Sequence, residues 1–405
     1  MGVLAIRAGR LFTPTEEIED GTLLIEDGCV RAVGPRAGLV LPPNASELDV
    51  RPLTLAPGFV DVHIHGAGGH DAMEARVEAL QAICSMAARH GTTALLATVM
   101  TAPPEQIVRS LSVAAAQTRT PWPAEAEPIA AIVGAHLEGP FISAARAGVH
   151  PPEWIVAPSI GRLQQFLDAT GGTLRLLTLA PELEGALEVI EWGRRAGLIL
   201  SLGHTDATYE QACASIERGA SHAAHVFNAM RPFHHRQTGV LGAVLNDPRV
   251  TAEVIADGVH VDAPAVRLLI RAKGPEAVLL VTDATAAAGM PDGVYRLGPL
   301  EVVVRDGVCR DKAGRLAGSS LTMDRALQYV LRLGLPPAQA LAMATLNPAR
   351  LLGISQHKGR LAPGADADVV FLDADWNVAG VMTCRMSQPV LWQPARVGAE
   401  WRANP

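Results

Sequence analysis

The sequence predicts an α/β protein, a (β/α)8 TIM-like barrel joined to a small β-sandwich domain built from both chain termini. Three observations predict this. Between residues 58 and 283, eight apolar runs of strand length alternate with stretches of helical period, the pattern of a parallel sheet with crossover helices. Short strand patterns punctuated by Asp-Gly, Pro and Gly stand at both ends of the chain. The length, 405 residues, exceeds one small module but suits a barrel of roughly 250 residues with a smaller companion. An open doubly wound sheet competes with the closed barrel, since periodicity does not separate them.

At the start, Val3 to Ile6, Thr22 to Ile25 and Cys29 to Val33 read as strands. Asp27-Gly28 joins the last two, and this dipeptide is a strong hairpin signal because a type I′ turn needs positive φ at both central residues. The eight barrel runs are Gly58 to His65, Thr92 to Val99, Ile129 to Leu137, Leu174 to Ala180, Leu198 to Gly203, His222 to Phe227, Thr251 to Ala256 and Ala277 to Asp283. Helices are expected over Ala75 to Arg89, Pro104 to Thr118, Glu182 to Ala196 and Ala263 to Lys273. Leu300 to Cys309 reads as another Asp-Gly hairpin outside the barrel, and Ser319 or Ser320 as the N-cap of a helix running to Leu333. Strand patterns return in Gly364 to Asp373 and Val390 to Trp392. The expected division is residues 58–355 for the barrel and residues 1–57 with 356–405 for the terminal domain.

Composition narrows the function. Apolar residues are 49% and charged residues 19%, a buried-core composition that excludes general disorder. With 34 Lys+Arg against 41 Asp+Glu and a formal charge of -7, no basic field recruits nucleic acid or an anionic membrane. No signal-like h-region or apolar run of spanning length is expected. The five cysteines are scattered, without a CxxC pair, which argues against a disulfide framework or thiolate zinc site and fits a reducing cytoplasm. No GxGxxG or GxxxxGK[ST] follows a strand, which removes the usual nucleotide cradle.

Metal-type residues gather at the ends of the predicted strands. His63 and His65 alternate with Val62 and Ile64, so both imidazoles share one face of a strand. Glu138 ends the third run, His204 the fifth and Asp283 the eighth, while His225 lies on the sixth. In barrel enzymes functional residues sit at the carboxyl ends of strands, so these six converge on one mouth. A lone strand-end His is more often a satisfied, partly buried residue, and His222, three before His225, is expected on the opposite face. His70, His90 and His357 carry no role, and Asp247 and Asp262 read as turn and cap residues. Six metal-type or acid-type residues over five strand ends in one register are not explained that way.

The order HxH at 63–65, HLEGP around Glu138, GHT around His204, HVFNAM around His225 and TDA around Asp283 resembles the amidohydrolase superfamily. HLEGPF and HVFNAM resemble the branch that deacetylates N-acetylglucosamine 6-phosphate, a step in amino-sugar catabolism and cell-wall recycling. The likeness spans nearly the whole chain. Many dinuclear members bridge two metals with a carboxylated lysine on the fourth strand; the only lysines here are Lys273, Lys312 and Lys358, and Leu174 to Ala180 holds none. In this branch the bridging role falls to the third-strand glutamate, here Glu138.

The resemblance implies that Glu138, His204 and His225 hold one divalent metal, zinc in first place and iron as the alternative, with a water in the open position. His63 and His65 are implied for a second ion, and Asp283 is implied as the general base that becomes the general acid. His150 matches the residue that hydrogen-bonds the acyl carbonyl. Val149, Asn228, Ala229, Arg236, Asp257, His260 and the backbone of Leu316, Ala317 and Gly318 match sugar or phosphate contacts. Arg236 is implied to reach the neighbouring subunit's site, hence a homodimer. Arg231, His234 and His235 depart from the pattern and either reinforce phosphate binding, alter sugar choice or form a solvated loop. The alternatives are a deacetylase for the galactosamine epimer, an amidohydrolase for another N-acyl substrate, and an inactive metal-binding scaffold.

Overall fold

The computed structural model describes residues 2–14, 16–123 and 127–392. Eight parallel strands form the central sheet: β1 (Phe59–Ile64), β2 (Thr92–Met100), β3 (Ala131–Glu138), β4 (Leu174–Leu179), β5 (Ile199–Leu202), β6 (Ala220–Ala223), β7 (Thr251–Ile255) and β8 (Val278–Val281). They pair in strictly sequential order, which excludes the doubly wound alternative, whose strand order reverses partway. The sheet closes between β8 and β1: Asp283 N–H donates to His63 O and His65 N–H to Ala284 O, each at 2.9 Å. The Thr282 hydroxyl adds a 2.6 Å bond to Asp61 Oδ2. Every residue of β2 is buried, as expected of a parallel strand covered on both faces.

The predicted helices form over Val77–Arg89, Pro104–Arg119, Ala186–Arg195 and Ala263–Lys273. The first and third start later than expected because Ala75 and Gly185 adopt left-handed φ of 52° and 82°. Asp262 caps the fourth through Ala263 N–H, the cap role its position suggested. The sixth strand is displaced. It ends at Ala223, so His225 lies beyond the strand rather than on it; φ of 26° at His225 and 82° at Phe227 ends the extended backbone there. The insert after β8 has three strands instead of a simple hairpin, Gly293–Leu297, Leu300–Arg305 and Val308–Arg310. The serine-cap expectation also fails. Thr322 precedes the helix Met323–Arg332, while the Ser319 hydroxyl donates to Thr282 O and accepts from Leu321 N–H.

The two ends of the chain meet in one seven-stranded sheet. Its order is Val390–Leu391, Val378–Met382, Val369–Leu372, Ser46–Pro57, Val3–Phe12, Glu17–Glu26 and Cys29–Pro35. Asp27 and Gly28 have φ of 50° and 78°, the double positive φ a type I′ turn requires. The sheet folds over, bringing Cys29 to an isolated bridge with Asp366, and encloses a core of Ile6, Leu23, Leu55, Phe371 and Met382. Phe12, Ala56, Val370 and Leu372 instead join the barrel's core, so the sheet's faces serve two cores. The strand Ser46–Pro57 carried no sequence signal, since charged residues and Pro52 interrupt it. Residues 393–405, assigned above to the terminal domain, lie outside the described residues.

Candidate metal centre

His63 lies on β1 and His65 directly follows its last residue, two positions on, so both face the cluster, and Glu138 ends β3. His204, His225 and Asp283 follow β5, β6 and β8 by two residues each, in turns with φ of 47°, 26° and 46°. His and Asp tolerate left-handed φ better than most residues, and here the turn bends each side chain over the barrel axis. Gly203 permits this at β5: a Cβ there would lie 2.6 Å from Thr178 Cγ2.

Four of the imidazoles, and His150 with them, converge on Glu138, and Asp283 reaches the same cluster through His63 and His65. The Oε1 of Glu138 lies 2.9 Å from His225 Nε2, 3.1 Å from His204 Nε2 and 3.4 Å from His63 Nε2. Its Oε2 lies 3.3 Å from His65 Nε2 and 3.2 Å from His150 Nε2. Asp283 Oδ1 stands 3.3 Å from His65 Nε2 and 3.6 Å from His63 Nε2. The result is two donor groups sharing one carboxylate, Glu138 with His204 and His225, and Glu138 with His63, His65 and Asp283. Within the first group the two imidazole Nε2 atoms are 3.2 Å apart. These spacings are close to the edge of about 3.3 Å expected for a tetrahedron with metal–ligand bonds of about 2.0 Å.

The electrostatics fit a cation. Glu138 and Glu253 are carboxylates buried among imidazoles, with the partly exposed Asp283 beside them, and buried charges require compensation. Burial opposes charge on His63, but Glu253, Glu138 and Asp283 outweigh it and hold its pKa well above the usual value. The same contest lifts His65 to about 9, with Asp283 and Glu138 as its partners. Burial also pushes Glu138 up, and His63 and His204 more than reverse this, holding it well below the carboxylate range. Protons on His63 and His65 are the charge a divalent ion would displace. His63 Nε2 has no hydrogen-bond partner, and Nδ1 of His204 faces Arg146 O at 2.9 Å, which leaves its Nε2 free as a ligand. The residues therefore suit a divalent metal, with oxygen and imidazole donors.

His150 differs. Burial, then the neighbouring His204, depress its pKa to about 4, so it is neutral near pH 7. Thr101 N–H reaches its Nδ1 at 3.4 Å, which places the proton on Nε2, facing the cluster.

The residues expected at the substrate are distributed around this mouth. Arg315 Nη1 donates to Gly148 O at 2.8 Å, tying the Val149-His150 loop to the adjoining Leu316, Ala317 and Gly318. Ser319 N–H donates to Asp283 O at 2.8 Å, so that segment ends beside β8. Ala229 O accepts from Thr205 N–H, next to His204, and Asn228 Nδ2 donates to His225 O. Asp257 and His260 pair at 2.6 Å after β7. Arg236 sits on an exposed loop and bonds His235 Nε2 at 2.8 Å instead of joining the cluster. Arg231 is engaged elsewhere, with Asp206 at 2.7 Å, where Arg146 also binds.

Sequence reasoning missed the layer beneath. Glu253 on β7 is fully buried and binds His63 Nδ1 at 2.9 Å. His222, expected to face away, binds the same carboxylate at 2.9 Å, so the structure corrects that expectation. His136, on the same face of β3 as Glu138, lies edge-on to His63 with centroids 4.5 Å apart and bonds Thr178 Oγ1. Two signals were available: His136 precedes Glu138 by one strand period, and Glu253 is an acid amid Ala252, Val254 and Ile255.

A sequentially ordered barrel with an imidazole–carboxylate cluster over its carboxyl-terminal mouth defines a metal-assisted hydrolase scaffold. The model of the amidohydrolase family matches residues 54–393. The chain is 38% identical over 374 residues to N-acetylgalactosamine-6-phosphate deacetylase of Escherichia coli O157:H7, covering 92% of this chain and 96% of that one. It is 36% identical over 380 residues to N-acetylglucosamine-6-phosphate deacetylase of Bacillus subtilis (strain 168), covering 93% and 94%. Among solved structures, a point mutant of N-acetyl-D-glucosamine-6-phosphate deacetylase of Mycobacterium smegmatis, in complex with N-acetyl-D-glucosamine-6-phosphate, superposes with a TM-score of 0.89 at 40% identity, covering 95% of this chain and 99% of that one. The chain belongs to the amidohydrolase family, in its branch of N-acetylglucosamine-6-phosphate deacetylases.

Proposed function

We propose that this enzyme hydrolyses the N-acetyl amide of N-acetyl-D-glucosamine 6-phosphate to D-glucosamine 6-phosphate and acetate. The observation that carries the reading is the convergence of His63, His65, His204 and His225 on the single carboxylate of Glu138, with Asp283 beside His63 and His65. Glu138, His204 and His225 hold one divalent ion, zinc in the first instance, and His63 and His65 hold a second beside Asp283. Such an ion, when bound, lowers the pKa of a water toward neutrality and polarises a carbonyl.

The chain's own residues do the rest. Asp283 stays ionised, because burial raises its pKa but His63 and His65 lower it further, so it can accept the attacking water's proton. It returns that proton to the departing amine, which an amide needs because its nitrogen is a poor leaving group. The Nε2–H of neutral His150 donates to the acetyl oxygen as charge develops there. Asp257 holds His260 by Nδ1, leaving Nε2 for the sugar phosphate. Asn228, Ala229, Val149 and the Leu316 to Gly318 backbone line the sugar.

Arg236 supplies a guanidinium fork suited to phosphate. Its place on an exposed loop, beside Phe233 at 53% exposure, supports a homodimer in which it serves the neighbouring site. The division into residues 58–355 and residues 1–57 with 356–405 is supported by the two cores. A cytoplasmic location is supported by five free cysteines. Among the described residues no helix is long and apolar enough to cross a membrane.

The test is acetate release from N-acetylglucosamine 6-phosphate, its galactosamine epimer and the unphosphorylated sugar, with bound metal quantified in the same preparation. Preference for the phosphorylated gluco sugar is expected. Faster turnover of the galacto epimer would reassign the substrate, and equal turnover of the unphosphorylated sugar would remove Arg236 and His260 from phosphate binding. Stoichiometric metal without hydrolysis would leave a binding scaffold.

A further inference from the structure

Glu253 stands at the centre of β7 with no exposure, and the mechanism above does not use it. Its Oε2 accepts from His63 Nδ1–H at 2.9 Å and from the backbone N–H of His225 at 3.1 Å. Its Oε1 accepts from His222 Nε2–H at 2.9 Å, and His222 Nδ1 lies 2.7 Å from the Thr251 hydroxyl. Three donors thus converge on one carboxylate that no solvent reaches.

We propose that Glu253 is the positioning residue for the second ion, the carboxylate that makes His63 a ligand. The inference rests on the reading of His63 and His65 as metal ligands. An imidazole binds a metal through one nitrogen only if its proton sits on the other, and that choice is made by whatever accepts the proton. Each donor group contains one imidazole whose rear nitrogen is held. In the Glu138, His204 and His225 group it is His204, held by Arg146 O. In the His63 and His65 group it is His63, held by Glu253. The rear nitrogens of His65 and His225 make no hydrogen bond. Glu253 therefore does for the second group what a backbone carbonyl does for the first: it accepts at the rear nitrogen and leaves Nε2 to face the cluster. Its contact with His225 N–H reaches backbone only, so the first group keeps its own tautomer lock when Glu253 is changed.

The experiment uses the full chain, freed of metal with a chelator and titrated with Zn2+ by calorimetry, with bound metal counted after gel filtration. The unmodified protein is expected to take two ions. Glu253→Leu is expected to bind one with unchanged affinity and the other 10–100-fold more weakly. Glu253→Gln, whose amide oxygen still accepts from His63, is expected to fall between and so partly rescue. If the leucine variant does not fold, the glutamine variant carries the test, with at least a several-fold weakening of one ion only. Two ions of unchanged affinity in the folded variants would overturn the proposal. Equal weakening of both ions, tracking a lower melting temperature, would also overturn it by making the role structural. One ion in the unmodified protein would remove His63 and His65 as a second site and the proposal with them.

Discussion

Replacing Asp283 by Asn tests the proton carrier with little disturbance of the site. Its backbone is pinned from both sides: Asp283 N–H donates to His63 O at 2.9 Å and its carbonyl accepts from Ser319 N–H at 2.8 Å. Neither bond involves the side chain. Its φ of 46° is a conformation Asn adopts as readily as Asp, so no backbone strain is added. The amide keeps an oxygen to face His65, now 3.3 Å from Oδ1, but cannot take a proton. General acid–base catalysis contributes typically 10²–10⁴-fold, and in the proposed mechanism Asp283 both accepts and returns the proton, so the upper half of that range is expected. That is a loss of about 10³–10⁴ in kcat, or about 4–5.5 kcal/mol of barrier. The assay is acetate release at saturating N-acetylglucosamine 6-phosphate, with metal content measured on the same samples. Full metal at the Glu138, His204 and His225 group with that loss supports the role. A metal-loaded variant within tenfold of the parent refutes it.

Arg236→Ala should raise KM for the phosphorylated sugar at least tenfold while leaving kinetics on the unphosphorylated sugar unchanged; parallel changes on both would remove the phosphate contact. Lys358 lies 2.6 Å from Asp368 and 2.8 Å from Asp366, with its side chain 11% exposed and that of Asp368 4%. Lys358→Met strands a buried carboxylate and should cost about 3–5 kcal/mol in denaturant unfolding, and a cost under about 1 kcal/mol would contradict the burial argument. His90 Nδ1 faces Asp324 Oδ2 at 3.1 Å; burial opposes its charge, but Asp324 outweighs burial and raises its pKa. A raised His pKa contributes stability that is full below the unfolded value of about 6.5 and lost as pH rises through the folded pKa. The melting-temperature gap between the parent and His90→Gln should therefore be largest near pH 6 and shrink at alkaline pH, and a gap that widens with pH would refute the pair.

The barrel was legible because its strands are buried on both faces, and such strands read as unbroken apolar runs that alternate with amphipathic helices. Closure was not legible. It depends on side-chain and backbone bonds between Asp61, His63, Thr282 and Ala284 that no local pattern announces. The Asp-Gly turns were read correctly because their φ requirement is local. Ser46–Pro57 was missed because its partners, Val3–Phe12 and Val369–Leu372, decide it from far along the chain.

The site divides along the same line. Period-two spacing was sufficient for His63 and His65, and the strand-end position for Glu138, since an extended strand fixes where such side chains point. It was not sufficient for His204, His225 and Asp283, which lie past their strands in left-handed turns. Each such residue costs about 1–3 kcal/mol, and each turn is held by a bond donated to its own carbonyl: His204 O accepts from Ser143 N–H, His225 O from Asn228 N–H and Asp283 O from Ser319 N–H. At His204 and Asp283 the compensating donor comes from a segment far along the chain, and at His225 from within the same turn, so motif spacing could name these residues without explaining their aim. Period two also misassigned His222. Counting three residues from His225 presumes that the strand continues, and the strand stops at Ala223. His222 is still on the strand and faces Glu253, while His225 is turned back over the same barrel interior. The sequence rule was sound, and it failed where the backbone departs from the strand to form the site.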